Sequence, residues 1–247
     1  MIKRINIPKD YNNRFLKKAY FEFKGNKQLI LLYGCNGVGK SSLLKIIAEG
    51  VNPRKFSDLY FMFNGKTLYD GKKEKLETQE KYYSEIVEHS FKNKIPKIYY
   101  WKASEDAPIR NQGRKSYEGE YDLEHIQLLI DASRHSEGES LELTFRKLLQ
   151  KIPSDTDLLL IDELDSGLGS NYIHTCGHIL MEWLEKHKQT QCILAINNYH
   201  WVWLFGEIYR MDIGEYQKIN NYDEFWEITR DIAIEVYNKE KRREDLW

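Results

Sequence analysis

No apolar run in this chain approaches the roughly 20 residues that cross a bilayer, and the N-terminal stretch "MIKRINIPKDYNNRF" lacks an apolar signal-peptide core. Neither a membrane span nor a secretion signal is indicated, and a soluble cytoplasmic protein with no membrane partner is expected. Cysteine is scarce. The three present, Cys35, Cys176 and Cys192, are an odd number at no metal-ligand spacing, which argues against a disulfide framework and a zinc site and predicts reduced thiols. Internal repeats and low-complexity segments are also missing.

What is present is enough for a sizeable core: 247 residues, 41% of them hydrophobic, read as one large or two small domains of the globular class. The formal net charge of -1 conceals an asymmetry, because residues 1–60 carry 12 Lys/Arg against 4 Asp/Glu while residues 116–187 carry 5 against 15. These blocks are either ordinary solvated faces or a basic lobe that serves a polyanion, nucleotide or DNA, and an acidic counterpart.

Along the chain, "AYFEFKGNKQLILLYG" reads as a hairpin turning at Gly25-Asn26, with Gln28–Tyr33 as a strand buried on both faces. A glycine loop and the short amphipathic helix "SSLLKIIAEG" follow. "LYFMFNGKTLYDGKK" suggests a small strand and a turn, and "KLETQEKYYSEIVEHSFKN" has helical spacing. "KIYYWKA" is a strand, followed by a polar loop. "LEHIQLLIDAS" and "LELTFRKLLQKI" are helices flanking "SRHSEGES", with Ser140 as the N-cap of the second and Pro153 ending it. "TDLLLIDE" is a fully apolar strand, then come the helix "NYIHTCGHILMEWLEKHK", the strand "QCILAI" and a long amphipathic C-terminal helix. Strands alternating with helices predict an α/β fold with a mostly parallel sheet. Residues 1–50 and 153–247 would form its core, and 51–152 an inserted arm and helical subdomain.

Gly34-Cys35-Asn36-Gly37-Val38-Gly39-Lys40-Ser41 fits GxxxxGKS between a buried strand and a helix N-terminus. The glycines let successive N–H groups turn into one cavity, where they and the positive helix end hold a β-phosphate. Lys40 would bridge β- and γ-phosphates, and the Ser41 hydroxyl would ligate Mg²⁺. At the end of the apolar strand, Asp162 is a second Mg²⁺ ligand and Glu163 the general base for water. The implied ligand is Mg-ATP, and once this site is assigned no clustered Asp/Glu/His set remains for nuclease chemistry.

"GCNGVGKSS" and "LLLIDELDSGLGS" together resemble the ABC ATPase superfamily: the first its Walker A motif, the second its Walker B strand running into the D-loop. Ser136-Glu137-Gly138-Glu139-Ser140 is similar in order and position to the signature of that family. The resemblance implies a P-loop ATPase head with a mostly parallel core sheet, an antiparallel N-terminal β-lobe and a helical subdomain. It implies that Asn36, Gly37, Val38, Gly39, Lys40, Ser41 and Ser42 hold ATP. Ser136, Gly138 and Glu139 would reach the γ-phosphate held by a second copy of the chain, so that two copies sandwich two ATPs head to tail.

The likeness is greatest to the soluble SMC/RecF-like and small AAA-family branch, which includes ATPases of DNA repair and antiphage defence that work with effectors such as nucleases. The 95 residues between Lys40 and Ser136 leave no room for a long coiled coil. Leu164 and Gly169 stand where transporter ATPases carry proline and aspartate. The Q-loop position falls on Ser104, Glu105 or Gln112, and the switch position on Asn197 or, three residues later, His200, which reads better as part of an aromatic cluster with Tyr199 and Trp201. Phe15 and Tyr11 lie where an aromatic would stack on adenine, although core packing suits Phe15 better. Cys35 fills space in the loop. The leading expectation is a slow ATPase switch; the alternatives are a transporter ATPase subunit and, because Asn197 carries no ionisable proton, a scaffold that scarcely hydrolyses ATP.

Overall fold

The computed structural model describes residues 1–7, 20–24, 27–34, 36–52, 85–92, 96–103, 136–165 and 168–244. Two sheets organise them. The larger is formed by β3 (Leu29–Tyr33), β5 (Ile98–Lys102), β6 (Leu158–Asp162), β7 (Gln191–Ile196), β8 (Glu207–Arg210) and β9 (Glu215–Lys218), in the spatial order β5-β6-β7-β3-β8-β9. Every pairing in it is parallel except β8 with the edge strand β9. The smaller is antiparallel, with β1 (Ile2–Asn6) between β2 (Tyr20–Glu22) and β4 (Val87–His89). The α/β class, the mostly parallel sheet and the antiparallel N-terminal lobe are those expected.

The runs "LLLID" and "QCILAI" are buried at every position, because a central parallel strand is covered on both faces. Alternate side chains feed two cores. Ile30, Leu32, Leu158, Leu160 and Ile193 face α1 (Lys40–Val51) and the small sheet through Ile2, Phe21 and Val87. Leu31, Tyr33, Leu159, Ile161 and Leu194 face α2 (Glu137–Lys151), α3 (Ser170–Lys186), α4 (Tyr199–Phe205) and α5 (Tyr222–Glu244). Cutting Leu160 to alanine, with no room for collapse between the layers, would cost about 2–5 kcal/mol.

Three local expectations are corrected. The predicted hairpin does not exist: β2 joins the small sheet and β3 the large one, and the predicted turn at Gly25-Asn26 lies outside the described residues. Residues 87–89, placed in a helix by their spacing, are β4, held by β1. The N-cap of α2 is Ser136, not Ser140. Ser136 Oγ accepts the Glu139 N–H at 3.4 Å while Glu139 Oε2 accepts the Ser136 N–H at 2.8 Å, a closed capping box. Ser140 is buried in the first turn.

α2 and α3 are fastened at both ends. A Cβ on Gly138 would lie 2.5 Å from the Tyr172 ring, so only glycine lets the helices approach there. At the other end, the Trp183 indole N–H donates to the Leu149 carbonyl at 2.9 Å. No helix among the described residues is long and apolar enough to cross a membrane. Burial pushes the Cys176 thiol up to about 12 and raises that of Cys192 as well, so neither is a thiolate at neutral pH. The predicted elements within 53–84 and 104–135 lie outside the described residues.

Candidate active site

The C-terminal ends of β3, β6 and β7 open onto one edge of the large sheet, where a ligand crevice of an α/β fold belongs. A cavity of about 500 Å³ lies there, lined by Asn36, Gly37, Gly39, Lys40, Ser41, Ser42, Asp162, Glu163 and Asn197. All nine were singled out from the sequence. Val38, whose expected contact with nucleotide is through its main-chain N–H, turns its side chain inward, 3% exposed. A Cβ on Gly34 would come within 2.7 Å of it.

The loop has the backbone its glycines permit: Gly37 and Gly39 sit at φ 80° and 98°, where a side chain would be strained. Gly39 is the N-cap of α1 and no side chain caps that end, which leaves the helix N-terminus to an anion. Lys40 is buried along the loop, its Nζ donating to the Gly34 carbonyl at 2.6 Å.

Asp162 closes β6 at 1% exposure. It accepts the Ser41 hydroxyl at 3.1 Å and the Tyr100 hydroxyl at 3.3 Å. Burial is the largest influence on this carboxyl and raises its pKa, with the Glu163 charge adding to it, while Ser41, Lys102 and Tyr100 pull it down. Two hard oxygens, a hydroxyl and a carboxylate, brought together from facing elements are the donor set of a Mg²⁺ site completed by phosphate and water. The residues therefore fit the ion. Tyr100 went unnoticed in the sequence because it reads as an ordinary strand aromatic.

Glu163 adopts φ 57°, the one left-handed non-glycine among the described residues. That conformation costs on the order of 1–3 kcal/mol and is characteristic of functional sites. It ends the strand and turns the second carboxylate into the cavity.

Asp165 is a second residue that the sequence does not single out. Buried at 5% exposure, it accepts the main-chain N–H groups of Asn197 and Asn198 at 2.6 Å each and faces the Asn197 amide at 3.4 Å. Burial raises its pKa and those hydrogen bonds oppose the rise. It thereby fixes the loop after β7 against the loop after β6 and places Asn197 in the cavity. The signal was the third carboxylate in "DELD", two positions beyond the pair.

His200 does not reach the cavity lining. It lies in α4 with its ring 5.3 Å from that of His174 and 5.9 Å from Tyr199, as an aromatic-cluster residue would. Of the two switch candidates, Asn197 is the one at the site. Ser136, Gly138 and Glu139 do not line the cavity of their own chain either. Gly138 is buried beneath Tyr172, whereas Ser136 and Glu139 are exposed. Cys35, Tyr11, Phe15, Ser104, Glu105 and Gln112 lie outside the described residues.

A glycine loop leading into an uncapped helix, with Ser41 hydrogen-bonded to the buried Asp162 beside it, is the arrangement of a P-loop in an α/β fold. No family model and no curated protein matches the chain. Solved structures similar to it include the dimeric ATP-binding cassette MJ0796 in a post-hydrolysis state bound to ADP and Pi, at 15% identity over 90% of this chain and 100% of that one, TM-score 0.45. CbiO1 from Clostridium perfringens, part of the cbiONQ transporter complex, is 15% identical over 98% and 97%, TM-score 0.43. A nucleotide-free cassette from an ABC transporter is 14% identical over 96% and 99%, TM-score 0.42.

Proposed function

We propose that the chain is an ATP-hydrolysing molecular switch that closes head to tail with a second copy around Mg-ATP and controls an effector, such as a nuclease, in DNA repair or antiphage defence. The observation that carries the catalytic part is the Ser41–Asp162 contact at 3.1 Å with the strained Glu163 beside it. The assignment to repair or defence rests on the sequence resemblance alone.

In this reading the loop N–H groups and Lys40 hold the β- and γ-phosphates. Ser41 and Asp162 would hold Mg²⁺, which supplies charge neutralisation at the phosphate oxygens. Glu163 takes a proton from water as its oxygen bonds to the γ-phosphorus, the bond to the ADP oxygen breaks, and ADP and phosphate leave. Asn197 donates an amide N–H to the γ-phosphate, and Ser136 and Glu139 at the exposed start of α2 serve the partner's site.

Light scattering of Glu163→Gln with and without Mg-ATP tests the switch: a dimer with nucleotide is expected, and a monomer under both conditions refutes it. Because Gly138 packs within its own chain, Ser136 is the better probe of the shared site. Ser136→Asn and Ser136→Asp both retain an N-cap, so each should fold and bind ATP. The aspartate, set against a γ-phosphate, should prevent nucleotide-induced dimerisation, and a normal dimer from it would exclude a signature role. A scaffold reading is favoured by the amide at position 197; single-turnover phosphate release that Glu163→Gln abolishes would rule it out.

A further inference from the structure

The outer faces of α4 and α5 carry a connected row of aromatic rings, of which Tyr199 alone packs against a core. Trp203, Tyr222 and Trp226 are 65%, 51% and 58% exposed. Half-buried Tyr199 links them, its ring 6.4 Å from Trp203 and 4.9 Å from Tyr222, and Tyr222 stacks near-parallel on Trp226 at 6.2 Å. Ile234, two turns beyond Trp226, is 50% exposed on the same helix. Single exposed apolar residues are ordinary, but a contiguous set dominated by Trp and Tyr is the composition of a binding hot spot.

The row is wired to the active site on its inner side. Phe225, on the buried face of α5, packs against Tyr199 at 4.7 Å and against Tyr33 at 5.1 Å, and the Tyr33 and Thr229 hydroxyls are hydrogen-bonded at 2.8 Å. Tyr33 immediately precedes Gly34 of the phosphate loop, and Tyr199 follows Asn197 by two residues. The two loops that would sense nucleotide therefore run straight into the elements that carry the exposed rings.

Charge selects the occupant. From Tyr222 to Ile234 the sequence holds four acids against one base, Arg230, and Asp223, Glu227 and Asp231 are exposed among the rings. A nucleic acid would bring phosphates to these carboxylates, an anionic bilayer would bring its headgroups, and a second copy docked ring on ring, with the twofold axis through Tyr222 and Trp226, would set acid against acid. A helix with lysine or arginine beside an apolar stripe satisfies both features. We propose that the α4–α5 aromatic face docks a basic amphipathic helix of a partner protein. Identifying that partner as the effector rests on the switch reading above; the docking itself does not.

The probe is a labelled amphipathic peptide of leucine and lysine, titrated by fluorescence anisotropy into the full chain, with a leucine/glutamate peptide as its counterpart. Saturable binding of the basic peptide alone is expected, weakened about tenfold or more both by Trp203→Ser with Trp226→Ser and by Glu227→Lys with Asp231→Lys. Unchanged binding by both double variants overturns the proposal. Binding of an oligothymidine strand or of phosphatidylglycerol vesicles that the tryptophan variant loses, or a halving of particle mass in that variant, assigns the face to nucleic acid, membrane or a second copy and also overturns it. ATP affinity, measured separately, should be unchanged in both variants. If the wild-type chain binds no ATP, the switch reading fails while the docking result stands.

Discussion

Asp165 and Asn197, 32 positions apart, are joined by a 2.6 Å hydrogen bond from the Asn197 main-chain N–H to the Asp165 carboxylate, which takes the Asn198 N–H at the same distance. One buried side chain thus sets the spacing between the loop after β6 and the loop after β7.

Asp165→Ala leaves both N–H groups without their acceptor, a loss of about 2–4 kcal/mol in stability that urea unfolding would read. Asp165→Asn, which retains one carbonyl oxygen, should lose less. In protein still folded, phosphate release should fall by about tenfold or more for the alanine variant while ATP binding by the phosphate loop changes little. Equal losses in binding and turnover would show that Asp165 acts on the whole fold and not on the sensor loop.

Asp162→Asn separates metal holding from stability. Burial already disfavours the charged carboxylate, so the amide should leave metal-free stability unchanged or higher by up to about 1 kcal/mol. The stabilisation that Mg-ATP gives the wild type, about 3 kcal/mol at a hundredfold excess over Kd, should shrink in the variant to the value seen with ATP and EDTA. Differential scanning fluorimetry with and without Mg²⁺ would decide it.

Glu49, on α1, is 3% exposed, its Oε1 has no hydrogen-bond partner, and burial pushes its pKa up to about 9. Between its ordinary value of 4.5 and about 9 the folded chain holds a proton that the unfolded chain has lost. Stability therefore falls as pH rises through that window, with a limiting slope of about 1.4 kcal/mol per pH unit. Glu49→Gln should remove this contribution and be the more stable by up to about 4 kcal/mol at pH 8, with the two proteins converging towards pH 5. Parallel pH–stability curves would contradict a buried, uncharged Glu49.

The parts of the site legible in the sequence are those whose chemistry is local. GxxxxGKS needs only the strand before it and the helix after it, and Asp162 and Glu163 declare themselves by ending an apolar strand. Asn197 was found by counting from β7. Asp165 was hidden because its partners are main-chain groups, identical in every sequence. Topology beyond the neighbouring element was hidden for a similar reason: the chemistry of Gly25-Asn26 is that of a turn whether the next strand pairs back or crosses to another sheet. β4 is three residues long, too short for a period of two to outweigh the helical spacing around it. The hairpin of β8 and β9 has a single local mark in the sequence, Gly214, which sits at φ 68° in its turn. The aromatic segment 199–205 betrayed a cluster but not its helix.

The double fastening of α2 to α3 has a mechanical consequence. A helix pinned near its first turn by Tyr172 against Gly138, and near its last by the Trp183 indole on the Leu149 carbonyl, can neither slide nor roll against its neighbour without breaking one of the two. A displacement of α2 at Ser136 would therefore carry α3 with it, and the N-cap of α3, Gly169, stands four residues after Asp165 in the sequence.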